Sequence, residues 1–178
     1  MYVHYCSSDA YVGDTDVSTG TGESLLFRGH RIAMGAIDAL GARHGLASGM
    51  RATVIVSGCS AGARGVMHNL NRIGARVADV APDARVVGLL DSALYLDLPV
   101  VPTPVVAAPA ATPRLSVVDQ ARAVLDHTHA SIDPACADAY AGAEHKCLVA
   151  EYALRTLTPA HLVFAFGDDA YQLTEVLL

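Results

Sequence analysis

Residues 58–62 read Gly58-Cys59-Ser60-Ala61-Gly62, a G-x-S-x-G pentapeptide placed directly after a β-branched run and directly before a helix-forming stretch. That context suits a serine nucleophile. On a tight strand-to-helix turn the serine hydroxyl is held exposed at the carboxyl end of the strand, and a side chain at either glycine is expected to clash. The backbone N–H of Ala61, backed by the positive end of the following helix, would face a developing oxyanion. A structural or nucleotide-binding glycine turn shares the same pattern. A serine nucleophile also needs an orienting acid and a base, which in this type of site follow in the order Ser, Asp or Glu, His. Asp168 and Asp169 sit just past the last apolar run, and Asp91, just past the middle one, competes with them. The Asp168–Asp169 pair equally reads as loop residues capping the next helix. No histidine follows His161. His30 and His68 read as surface or core-edge residues rather than bases. His127 and His129 read as solvated, because i, i+2 spacing does not bring two ligands to one helix face.

The elements that must position these groups alternate along the chain. Asp9 to Glu23 is polar and Gly-rich and reads as a loop. Leu25 to Leu40 carries Leu26, Ala33, Ile37 and Leu40 at helical spacing, with Gly41 and Gly45 to end it. Thr53–Val56, Val86–Leu90 and His161–Phe166 read as buried parallel strands. Ala63–Val77 and Ser116–His129 read as helices. A Pro-rich segment at about 98–114 reads as an irregular, lid-like insertion, since proline breaks both helix and central strand. Strands alternating with amphipathic helices predict an α/β fold around a largely parallel sheet flanked by helices. Three strands are few for such a domain, so residues 1–178 are expected to form one partial domain.

Composition narrows the function classes. The chain has 178 residues, 52% of them hydrophobic, and 12 Lys+Arg against 18 Asp+Glu, for a net charge of -6. That apolar content supports a packed core and excludes disorder as the dominant state. With Lys146 as the single lysine and scattered arginines, the charge balance argues against a nucleic-acid partner. No apolar run approaches the ~20 residues of a membrane span, and the N-terminus lacks the pattern of a signal peptide. None of the four cysteines forms a Cys-x-x-Cys pair, which disfavours a zinc ribbon. The segment between Cys136 and Cys147 could be closed by a disulfide, or both thiols could be reduced; spacing leaves both open.

Five ordered motifs resemble the pectin acetylesterases and Notum-type carboxylesterases. They are Tyr5-Cys6-Ser7-Ser8-Asp9, Ser57–Gly62, Asp91-Ser92-Ala93-Leu94-Tyr95-Leu96-Asp97, the Cys136 and Cys147 pair, and Asp169-Ala170-Tyr171-Gln172-Leu173-Thr174. The resemblance implies an α/β-hydrolase-like fold and a secreted, extracellular or cell-wall enzyme that removes O-acyl groups through a Ser-Asp-His triad, with no metal or cofactor. It implies Ser60 as nucleophile and Asp169 as triad acid, Asp168 being one residue out of register. It further implies Ala61 as an oxyanion donor, Tyr95, Leu148 and Val149 as pocket residues with core packing as their other reading, and a Cys136–Cys147 disulfide. Gly62-Ala63-Arg64 departs from the Gly-Gly that follows the elbow in that family. The implied substrate is an acetylated polysaccharide such as pectin; the alternatives are a lipid ester on a protein, or a catalytically dead carbohydrate- or partner-binding homologue. The family's catalytic histidine is expected beyond Leu178 and its Gly-rich oxyanion segment before Met1, so residues 1–178 alone are expected to be nearly inactive. The resemblance leaves the oligomeric state open.

Overall fold

The three β-branched runs pair side by side as a parallel sheet in the computed structural model, which describes residues 1–18, 24–99, 115–169 and 172. An antiparallel ribbon comes first, β1 (Thr15–Ser18) with β2 (Ser24–Phe27). Helix α1 (Gly29–His44) follows, then β3 (Thr53–Cys59), α2 (Ala61–Val80) and β4 (Arg85–Asp91). Helices α3 (Val117–Thr128), α4 (Pro134–Ala139) and α5 (Ala150–Ala153) lead to β5 (Ala160–Phe164). The sheet order is β3-β4-β5, with Cys59, Asp91 and Phe164 aligned across its carboxyl end. Three elements that sequence placed in separate parts of the chain thus deliver their loops to one edge.

The core lies on one face of this sheet. Ala63, Val66, Met67 and Leu70 of α2 pack with Leu90, Val56, Val86 and Val163. Ile37 of α1 joins Ile73 and Val77 of α2 in a second cluster, and a third holds Val12, Val117, Ala121, Ala130, Leu148 and Val149. The other face is open: Ile55 and Leu162 are 66% and 62% exposed. This corrects the expectation of strands buried on both sides. A continuous apolar run reports that both faces favour burial, but only α2 and its neighbours supply cover among the described residues.

Two further boundaries differ from the sequence reading. Leu25 and Leu26 belong to β2 rather than to the helix, and part of the predicted polar loop forms β1. Helical periodicity cannot register that Thr15–Ser18 offers those residues a backbone ladder. The helix ends at Gly45, in the left-handed region at φ 76°, where Leu46 N–H donates to the Leu40 carbonyl, while Gly41 stays inside it. Capping follows local chemistry elsewhere: Ser116 Oγ accepts from Asp119 N–H to open α3, and Asp133 does the same for α4. Residues 100–114 of the Pro-rich segment lie outside the described residues. No described helix is long and apolar enough to cross a membrane.

Candidate active site

The turn between β3 and α2 sets Ser60 apart from an ordinary helix-capping serine. Its backbone lies at φ 53°, ψ −119°, a region that costs a non-glycine residue about 1–3 kcal/mol. Ser60 is exposed, and although it stands at the N-cap of α2 its side chain accepts no capping hydrogen bond. The hydroxyl is therefore not spent on the helix. The backbone is held from both sides: Ser60 N–H donates to the Asp91 carbonyl at 2.9 Å, and Arg64 N–H donates to the Ser60 carbonyl at 3.0 Å. Ala61 is the first helical residue, so its N–H has no intrahelical acceptor.

The two glycines of the turn are not equivalent. A Cβ on Gly58 would stand 2.3 Å from the Gly62 carbonyl carbon and 2.7 Å from Ala63 N. Those are backbone atoms that cannot yield without moving the helix. A Cβ on Gly62 would meet nothing within 4 Å. The expectation that both positions exclude side chains thus holds for Gly58 alone, because the chain turns its crowded side toward the strand. Gly58→Ala is expected to destabilise the fold by about 2–3 kcal/mol and Gly62→Ala by less than about 1 kcal/mol, as read by urea unfolding of both variants.

The candidate acids gather at the same sheet edge. Asp91 ends β4 and accepts from Ser92 Oγ at 2.9 Å. Its carboxyl also bonds the Cys59 thiol, which with desolvation raises that thiol above its ordinary range. Asp168 is exposed, whereas Asp169 is half-buried and its Oδ1 accepts from Gln172 N–H at 2.9 Å. Gln172 Nε2 in turn donates to the Leu94 carbonyl at 2.9 Å, tying the loop after β5 to the loop after β4. Among the described residues no histidine hydrogen-bonds to Ser60, Asp91 or Asp169. His30 pairs with Asn69, His145 with Arg122, and His161 with the Pro159 carbonyl.

Tyr95, Leu148 and Val149 come together in one packed cluster. Tyr95 rests half-buried on the cluster that holds Leu148 and Val149, and Ala150 N–H donates to the Tyr95 carbonyl at 3.1 Å. Val149 is 0% exposed, while Leu148 lines a small cavity with His68, Cys136 and Cys147 rather than with Ser60. Cys136 and Cys147 are disulfide-bonded; Cys6 and Cys59 are free and exposed.

Four roles were invisible in the sequence. Asp9, quoted only as part of a motif, is buried and accepts four hydrogen bonds, from Ser7 Oγ and from the N–H groups of Tyr11, Gly13 and Gly29. A Cβ on Gly13 or Gly29 would stand 2.5 or 2.2 Å from an Asp9 carboxyl oxygen, so both positions need glycine. Asn69 of α2 donates to the Tyr11 carbonyl at 2.8 Å and so fastens the Asp9 loop to the helix that carries Ser60. Arg64 stacks its guanidinium 5.1 Å from the Tyr95 ring centroid. His68 is not at the surface or core edge but buried, and neither ring nitrogen has a partner that meets hydrogen-bond geometry. A histidine one helical turn beyond Arg64 on an otherwise apolar face gives no sequence sign of that isolation.

Comparison with known proteins follows this geometry. The profile of the family described as "Pectinacetylesterase" matches residues 1–178. The palmitoleoyl-protein carboxylesterase notum2 of Xenopus laevis is 35% identical over 100 residues, 54% of this chain and 19% of that protein. The solved structure of the Wnt deacylase Notum from Drosophila superposes with a TM-score of 0.71 at 25% identity, covering 91% of this chain and 44% of that one. The chain thus has the α/β-hydrolase-like fold of that structure, and it spans less than half the length of either relative.

Proposed function

Because this chain belongs to the pectinacetylesterase family, we propose that it carries the nucleophile and orienting acid of a serine carboxylesterase acting on O-acyl esters, O-acetyl groups of a polysaccharide first among them. The observation that supports this reading is Ser60 itself: exposed, strained at φ 53°, and free of any capping bond at a helix N-terminus. In the reaction Ser60 Oγ adds to the ester carbonyl carbon and its proton passes to the histidine that the resemblance implies. The Ala61 N–H and the N-terminal end of α2 stabilise the oxyanion. The proton then goes to the departing alcohol, and water cleaves the acyl-enzyme to release the acid. Asp169 orients the base, held by Gln172 across to Leu94. The disulfide supports an extracellular setting, where such bonds persist.

A lipid ester on a protein, the substrate class named for the notum2 relative, is the second reading. The Arg64 guanidinium on Tyr95 favours short acyl groups instead, because a long apolar chain would have to desolvate that charge.

The test uses the longest polypeptide that contains residues 1–178. A fluorophosphonate probe is expected to label Ser60, located by peptide mapping. Ser60→Ala is expected to abolish labelling and to lower kcat/KM for an aryl acetate by at least about 10³-fold. Activity undiminished in Ser60→Ala would overturn the proposal, and a preference for long-chain over acetyl esters would select the second reading.

A further inference from the structure

Among the described residues, Arg64 is a charge without a counter-charge at the place where substrate is expected. It lies in the first turn of α2, where its backbone N–H donates to the Ser60 carbonyl at 3.0 Å. Tyr95, on which it stacks, belongs to the loop after β4, at the carboxyl end of the sheet where open α/β sheets bind their ligands. Its Nε is buried with no hydrogen-bond partner, and Arg64 forms no ion pair with any described carboxylate. The two acids of the candidate site have other hydrogen-bond partners, Asp91 in Ser92 and Asp169 in Gln172. The chain as a whole is acidic, at net charge -6. A half-buried guanidinium with no described counter-charge, one helical turn after Ser60 in an acidic protein, is costly unless the bound state supplies an anion. A guanidinium already stacked on an aromatic face presents its remaining N–H groups in a fixed fork suited to a carboxylate.

We propose that Arg64, backed by Tyr95, is a specificity residue that binds a carboxylate carried by the ester substrate. The positive end of α2 adds to the field that draws the anion in. Two sources of that carboxylate share the chemistry: an acidic sugar on the alcohol side, or a dicarboxylic half-ester on the acyl side. The inference rests on the esterase reading for the place of Ser60, but it is tested by binding rather than turnover.

Binding is measured by calorimetry on the Ser60→Ala protein at low salt, with two pairs of probes. One pair is oligogalacturonate and its methyl ester; the other is monoethyl succinate and diethyl succinate. In one pair the acid is expected to bind at least tenfold more tightly than its neutral ester, and that pair identifies the source. Arg64→Gln is expected to equalise the two affinities, Arg64→Lys to keep part of the difference, and 0.5 M salt to shrink it. Equal binding within both pairs, or a difference that survives Arg64→Gln, overturns the proposal, as does failure of every probe to bind. If Ser60 resists fluorophosphonate while the Arg64-dependent difference persists, the esterase reading falls and this one stands.

Discussion

Asp9→Ala is expected to lower the unfolding free energy by about 3–5 kcal/mol, the largest loss for a single substitution outside the apolar core. The Asp9 carboxyl group accepts from Tyr11 N–H at 2.9 Å, Gly13 N–H at 3.1 Å and Gly29 N–H at 2.8 Å, as well as from Ser7 Oγ. Removing it leaves three buried backbone donors without acceptors, each costing about 1–3 kcal/mol before relaxation. It also removes what holds an unfavourable stretch of backbone. Ser8, Ala10 and Tyr11 all have positive φ, at 52°, 52° and 59°, in a region that non-glycine residues enter only when their surroundings over-determine it. The consequence reaches the helix that follows Ser60, because Tyr11 packs against Gly65 and its carbonyl accepts from Asn69. Urea unfolding checks the magnitude, and fluorophosphonate labelling of Ser60 checks the coupling. Asp9→Asn, which keeps one carboxamide oxygen, is expected to lose about half as much. A loss under about 1 kcal/mol in Asp9→Ala would show that the loop is held by something else.

The second large effect is an acid-side weakening caused by His68. Burial pushes its imidazole down to about 3, Arg64 acts in the same direction, and the Cys147 backbone only partly offsets them. The unfolded chain takes up a proton on this residue near its ordinary value of about 6.5, whereas the folded protein does not until about pH 3. Between those values the unfolded state binds more protons. The contribution is therefore complete above about pH 6.5 and is lost as pH falls, by about 1.4 kcal/mol per unit. Between pH 7 and pH 5 the protein is expected to lose about 2 kcal/mol more stability than His68→Leu, which fits the same apolar surroundings and has no proton to gain. Chemical denaturation of both proteins at the two pH values measures this, and parallel pH dependences would refute it.

Much of the site's address was readable from the chain. Gly58–Gly62 between a β-branched run and a helix announced a strand-to-helix turn, and the three runs ending near Cys59, Asp91 and Phe164 announced loops that gather at one end. These features are local, or follow from parallel pairing, and local pattern carries them. Leu25 and Leu26 were misplaced because their strand exists only through a partner at Thr15–Ser18. Leu148 and Val149 could be matched to a pocket by motif order, but their packing with Val12, Val117 and Ala121 depends on contacts between elements that motif order does not carry.

Sequence alone therefore determined the type of fold, the turn that strains Ser60 and the order of Ser60 and Asp169 along the chain, since each depends on residues adjacent along the backbone. Only the tertiary structure decided that Asp9 anchors a left-handed loop through glycines 4 and 20 residues away, that His68 is buried with neither ring nitrogen in a well-formed hydrogen bond, and that Arg64 stands on Tyr95 with no described acid in ion-pair reach. Those outcomes depend on desolvation and on distances between elements. Residue type reveals a capacity for charge or hydrogen bonding; folding decides whether that capacity is met.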